Sequence, residues 1–234
     1  VRAALAVLRG ADRPDAGLTE LDAAEKTLGD KFEFRLARAQ LLAARPGADA
    51  KPLTTLAKNP GAFSRDQRFR LFSGLGAVTA ALGFRREATE LYTRAAAEAP
   101  FDLGCRAALF DLAVLDDRRD LQDRVLAEMA ALDGADGPVR LAAEVARGLT
   151  QLKPGDDAAA AGLRAKLKTA IQKRESWGRL YALAGDLDAA AGQPDAALED
   201  YRQAIARGEQ SDGVVRKLVK LLLDRQHHPE ALAL

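Results

Sequence analysis

The chain writes one pattern twice. "GFRREATELYTRA" (83–95) and "GQPDAALEDYRQA" (192–204) both open on glycine, place alanine five residues on, tyrosine four after that, and alanine three further. The copies lie 109 residues apart, three periods of 34 with seven residues left over. Ala16 and Ala50 are also 34 apart, as are Ala197 and Ala231, while Ala50 and Ala88 are separated by 38. A recurring period of this length confines a chain to an array of supersecondary units. No such unit can bury its apolar face alone, so neighbours must stack on it.

Within a period the pattern is helical. "RFRLFSGLGAVTAAL" (68–82) carries apolar residues at helical spacing and ends before Gly83; "EATELYTRAAAEA" (87–99) does the same and ends before Pro100. Glycine takes the left-handed conformation that closes a helix, and proline cannot continue the hydrogen-bond ladder. The expected pairs are 31–45/48–58, 66–82/84–99, 102–116/118–133, 137–152/156–174, 176–191/194–207 and 211–225/228–234, after a first unit at 1–9 and 14–28. The seven extra residues fall between 137 and 177. They are assigned to longer helices around "KPGDD" (153–157), because seven residues make about two turns and keep the buried face in register. No alternating β-branched segment supports strands. Aromatic residues are only 5% of the chain, so alanine and leucine must supply the core, which favours helices. Gly76 and Gly185, with Ala88 and Ala197, sit where two helices of a pair cross closely. Tyr92 and Tyr201 are expected to fill the wider gap beside the next unit.

At these residues the chain resembles the tetratricopeptide repeat family. Residues 69–102 carry its pattern through Phe72, Leu75, Gly76, Gly83, Ala88, Tyr92, Ala95 and Pro100. Residues 178–211 carry it through Tyr181, Gly185, Gly192, Ala197, Tyr201 and Ala204, without the final proline. Residues 212–234 match weakly. The units at 31–60, 103–136 and 137–177 are degenerate, with Gln122 where the pattern has alanine. The resemblance implies an all-α fold, a right-handed α-solenoid of antiparallel helix pairs, about six to seven of them in a single domain over 1–234. It also implies a concave groove lined by the first helix of each pair, which takes a peptide or a helix of another protein.

On that groove side the expected partner-binding residues are Arg70, Ser73, Arg179, Arg216, Lys217 and Lys220. Cations there suit an acidic peptide or a terminal carboxylate; the plain alternative is a solvated helix face. One subclass of the family clamps a C-terminal carboxylate with paired asparagines beside Lys and Arg. This chain has a single asparagine, Asn59, outside any first helix, which argues for a different ligand. "VVRKLVKLLL" (214–223) reads either as a basic membrane-surface helix or as the first helix of the last repeat, and the period favours the repeat.

Nothing else in the sequence assembles a catalytic constellation, so no enzyme activity is expected. The net charge is +1 with mixed signs, unlike a nucleic-acid binder with its basic stripe. No apolar run reaches the length of a membrane span. His227 and His228 are the only histidines and fall in a turn with no cysteine near, so neither a metal nor a cofactor is expected. Cys105, the one cysteine, reads as a buried thiol and leaves the compartment open. Asp116, Asp117, Asp156 and Asp157 read as turn and capping residues. "GADG" (134–137) and "GLG" (74–76) do not follow strands and so are not phosphate loops. Trp177 reads as a packing residue between repeats. The reading is a non-catalytic interaction or scaffolding module. The alternatives are an accessory region of a larger enzyme, since the chain starts at Val1 and reads as a piece of a longer protein, and self-association through uncapped ends.

Overall fold

Each helix end has a local cause. Ser64 and Gln67 form a capping box ahead of Arg65: the Ser64 hydroxyl accepts from Gln67 N, and Gln67 Oε1 accepts from Ser64 N. Two amides that a helix start leaves orphaned are thereby satisfied. Asp156 accepts from Ala159 N at 3.0 Å at a later helix start. Gly83 and Gly192 have φ of +84° and +69°. In both, the following amide reaches back five residues, Phe84 N to Thr79 O at 3.0 Å and Gln193 N to Asp188 O at 2.8 Å, which closes the helix.

The computed structural model describes residues 13–234, and the helix expected over 1–9 lies outside them. Thirteen helices and no strand occur among the described residues. In order they are α1 (Pro14–Leu28), α2 (Phe32–Ala43), α3 (Ala50–Thr55), α4 (Arg65–Ala81), α5 (Arg85–Glu98), α6 (Leu103–Leu115), α7 (Arg119–Asp133), α8 (Pro138–Gln151), α9 (Asp157–Lys173), α10 (Gly178–Ala190), α11 (Pro194–Ala206), α12 (Asp212–Asp224) and α13 (His228–Leu232). The chain divides into two compact units, up to Leu112 and from Ala113, with the boundary inside α6.

In the first unit α2 packs on α1, α3 and α4, and α4 packs on α3 and α5. Leu53, Leu71, Phe72, Leu75 and Leu91 form its core, with Phe32 and Phe63 edge to face at 6.5 Å. In the second unit α8 packs on α7, α9 and α10; α10 packs on α9 and α11; α12 packs on α11 and α13. First helices of successive pairs thus touch each other as well as their own partners, which is how stacked hairpins build a continuous core. The segment 214–223 lies in α12, where Val214, Leu218 and Leu222 are buried against Ala197, Leu198 and Tyr201. No helix among the described residues is long and apolar enough to cross a membrane.

Three details refine the sequence reading. The helix expected at 48–58 is only Ala50–Thr55. Thr54 and Thr55 turn their hydroxyls back on Lys51 O, Asn59 takes φ +50°, and Pro60 follows, so the second turn does not extend. The extra length between 137 and 177 lies mainly in α9, with 17 residues against 13 in α11, and partly in a longer turn, 152–156 against 191–193. Tyr201 does touch the next pair, but its ring lies over Gly185 of its own pair: a Cβ there would stand 2.7 Å from Tyr201 Cε1. Tyr92 lies over Gly76 in the same way, at 3.1 Å. The glycines make room for tyrosine rings, and the bare helix crossing is not what requires them.

Candidate functional site

The expected binding residues are divided between the units. On α4, Asp66, Arg70, Ser73 and Ala77 follow one another at helical spacing along a face that Asp66, Arg70 and Ala77 expose and Ser73 half-exposes. Arg70 Nε lies 2.9 Å from Asp66 Oδ2 one turn back, with both side chains more than 60% exposed, so solvent screens most of that attraction. The Ser73 hydroxyl donates to Phe69 O at 2.8 Å. In the second unit Arg179 is half-buried in the first turn of α10. Arg216, Lys217 and Lys220 share the exposed side of α12. Arg216 Nε donates to Asp212 O at 3.1 Å, and Arg216 edges a hollow of about 680 Å³ whose walls include Ile205 and Val215.

Most other arginines are engaged within the fold. Arg35 donates to Leu56 O and Lys58 O, at 2.9 and 2.7 Å, closing the carbonyl end of α3. Arg94 stacks 3.9 Å above Phe72 and donates to Ala57 O; Arg207 stacks 4.0 Å above Tyr181 and donates to Glu175 O. Arg38 reaches from α2 to Asp22 and Glu25 of α1. The planar guanidinium suits these paired roles. Arg70, Arg216 and Lys220 are exposed to water, as are Arg86, Arg119 and Arg124.

Lys217 is different. Its Nζ lies 2.5 Å from Asp186 Oδ1 on α10, and the same oxygen accepts from Tyr201 OH at 2.6 Å. Burial and this carboxylate push the Tyr201 phenol above its ordinary range. Lys217 therefore joins α12 to the pair before it. Beside this cluster is a second one that sequence reading missed. Asp188 on α10 meets Arg164 of α9 at 2.5 Å, and burial, with the Asp188 charge near it, pushes the Asp200 carboxyl of α11 up to about 6. These groups flank a cleft of about 420 Å³ floored by Leu167, Ile171, Ala184 and Leu187. A 34-residue register aligns equivalent positions, but it does not say which carboxylate meets which cation between helices.

Cys105 is buried, and burial with the neighbouring Asp102 pushes its thiol up to about 12, so no thiolate nucleophile forms near neutral pH. Trp177 packs against the core shared by α8, α9 and α10, with the Arg174 guanidinium 4.7 Å from its ring. Gln122, the departure from the repeat pattern, is buried and donates its amide to Ala113 O at 3.0 Å. His227 Nδ1 lies 3.8 Å from Glu230 Oε2 on an exposed turn. No group of three or more His, Cys, Asp or Glu is placed to hold a metal ion among the described residues.

No protein-family model matches the sequence. No curated protein matches it either. Solved structures do match in shape. TTC0263, a thermophilic TPR protein of Thermus thermophilus, aligns with a TM-score of 0.54 at 20% identity, over 70% of this chain and 87% of that one. Yeast Tom70 aligns with a TM-score of 0.58 at 13% identity, over 93% of this chain, which spans less than half of Tom70 (44%). At these identities the likeness speaks for the fold alone. With the helix pairs, the glycine helix ends and the tyrosine-over-glycine packing, it makes this an all-α, tetratricopeptide-type helical-repeat fold.

Proposed function

We propose that the chain is a non-catalytic protein-interaction module that holds an acidic peptide or helix of another protein. Within the first unit the proposed contacts are Arg70 and Ser73; within the second, as a surface of its own, they are Arg179, Arg216, Lys217 and Lys220. The observation that carries this reading is the exposed side of α12. There Arg216 and Lys220 face water, Leu223 is 48% exposed between them and the helix end, and Arg216 borders a hollow that it shares with Asp212 and Gln210 and with the apolar side chains of Ile205 and Val215. A cation beside apolar surface offers a partner both an anchor and an orienting charge. Lys217 contributes less than its neighbours because Asp186 already holds it.

The test is a pull-down from native lysate with the parent chain and with Arg216→Glu/Lys220→Glu, washed at low and high salt. The expected outcome is a stoichiometric partner that the parent retains at low salt, releases as salt rises, and that the variant loses. Equal retention by both would place the contact on another face and defeat the assignment.

A further inference from the structure

The two well-matched repeats differ where each meets the helix before it. A shift of 109 residues sets Ala88 against Ala197 and Tyr92 against Tyr201. The same shift sets Leu91 against Asp200 and Thr79 against Asp188. In the first unit both positions are closed. Leu91 is 3% exposed, in the core that holds Leu53, Ala57 and Phe63, and Thr79 is fully buried with its hydroxyl donating to Leu75 O. In the second unit both aspartates border the cleft of about 420 Å³ between α9, α10 and α11, and Asp200 is half-buried. The cleft keeps an apolar floor in Leu167 and Leu187. A buried leucine position has become a carboxylate on the rim of an apolar cleft, so this repeat leaves uncovered a seam that its counterpart fills.

The charges around the cleft decide what fits it. Arg164 of α9 and Asp188 of α10 lie 2.5 Å apart and balance each other. Lys168 of α9 and Asp200 of α11 belong to no ion pair among the described residues. The two are not equivalent. Lys168 is exposed, so water screens it, whereas Asp200 is half-buried beside apolar surface, where an opposite charge acts more strongly. We propose that this cleft docks a segment of another protein that lays an apolar side chain against Leu167 and Leu187 and sets a lysine or arginine beside Asp200. The apolar contact supplies most of the affinity, and the charge pair fixes the orientation. This surface is separate from the exposed side of α12 and selects the opposite charge.

Random dodecapeptides displayed on phage and selected on the whole chain supply the probe. Selected peptides should share an apolar residue of leucine, methionine or phenylalanine size close to a lysine or arginine. Replacing that base by alanine, or Asp200→Lys in the chain, should each weaken binding about tenfold, and the two losses should not add. Asp200→Lys should recover affinity for a peptide whose base is changed to glutamate. Asp200→Leu restores the residue that Leu91 supplies in the other repeat, so it should fold, and it should abolish the preference for a base. Lys168→Glu should change affinity less than about fivefold, and Arg216→Glu/Lys220→Glu should leave it unchanged. Selected peptides that are acidic and lost on Arg216→Glu/Lys220→Glu, or that bind the Asp200→Leu chain as they bind the parent, would overturn the proposal. So would a parent chain that sediments as a dimer while Asp200→Leu is a monomer, because a second copy would then occupy the cleft.

Discussion

Gly76 and Gly185 occupy the same repeat position, yet the surrounding structure treats them differently. A Cβ at Gly76 would meet Tyr92 at 3.1 Å, whereas at Gly185 it would meet Tyr201 at 2.7 Å. Tyr92 is half-buried. Tyr201 is 2% exposed, and its hydroxyl is fixed by Asp186, which Lys217 also holds. Gly185→Ala must therefore either displace an anchored ring or move the helices apart. It should cost about 1–3 kcal/mol by overpacking, and Gly76→Ala clearly less. Chemical-denaturation midpoints of the two variants check this. Equal losses would mean that the Asp186 anchor does not hold the ring.

Helix ends show how far the period reaches at the scale of the element. Gly83 and Gly192 were legible as stop signals because glycine adopts a left-handed φ without steric cost. The same closure recurs where no glycine announces it. Asp117 has φ +48°, with Arg118 N bonded to Ala113 O at 2.8 Å; Gln226 has φ +61°, with His227 N bonded to Leu222 O at 2.8 Å. Four first helices thus end in one geometry, and two of them carry the strain of a side chain in the left-handed region. Asp117→Gly should relieve it at the end of α6 and raise stability by about 0.5–1 kcal/mol, less the added freedom of the unfolded chain. Gly83→Ala should do the reverse. Thermal midpoints of the two variants moving in the same direction would contradict the shared closure. The order and bounds of the helices could be read from spacing, since each stop or cap is local. The length of α3 could not, because Thr54 and Thr55 bonding back to Lys51, with Asn59 and Pro60, overrode an apolar pattern that ran further. Nor could the candidate site be read fully. The spacing put Lys217 beside the groove-side cations of α12, but its pairing with Asp186, 31 residues earlier, depends on how α10 and α12 meet.

At the scale of the molecule, a repeat fold is stabilised by intrinsic helix-pair terms and nearest-neighbour contacts. Stability should therefore follow the number of neighbouring helices, and the two units can be judged separately. In the first, α4 is packed by α2, α3 and α5; in the second, α10 is packed by α8, α9 and α11. Both helices bury leucines completely, Leu71 and Leu75 in one and Leu180 in the other. At the other extreme α13 is five residues long, has no buried residue and rests on α12. It is tied to α11 chiefly by Glu230, whose two oxygens accept from Arg202 at 2.7 and 2.5 Å. Native-state amide exchange should rank these elements, because protection reports the free energy of the smallest opening that exposes an amide. The slowest amides of each unit should lie in α4 and α10, and α13 should exchange fastest among the helices of the second unit. Arg202→Ala should release α13 further while leaving α10 unchanged, since α13 is held by α12 and by Arg202 of α11. If α10 lost protection together with α13, the second unit would open as one body, and nearest-neighbour contacts would not set its local stability.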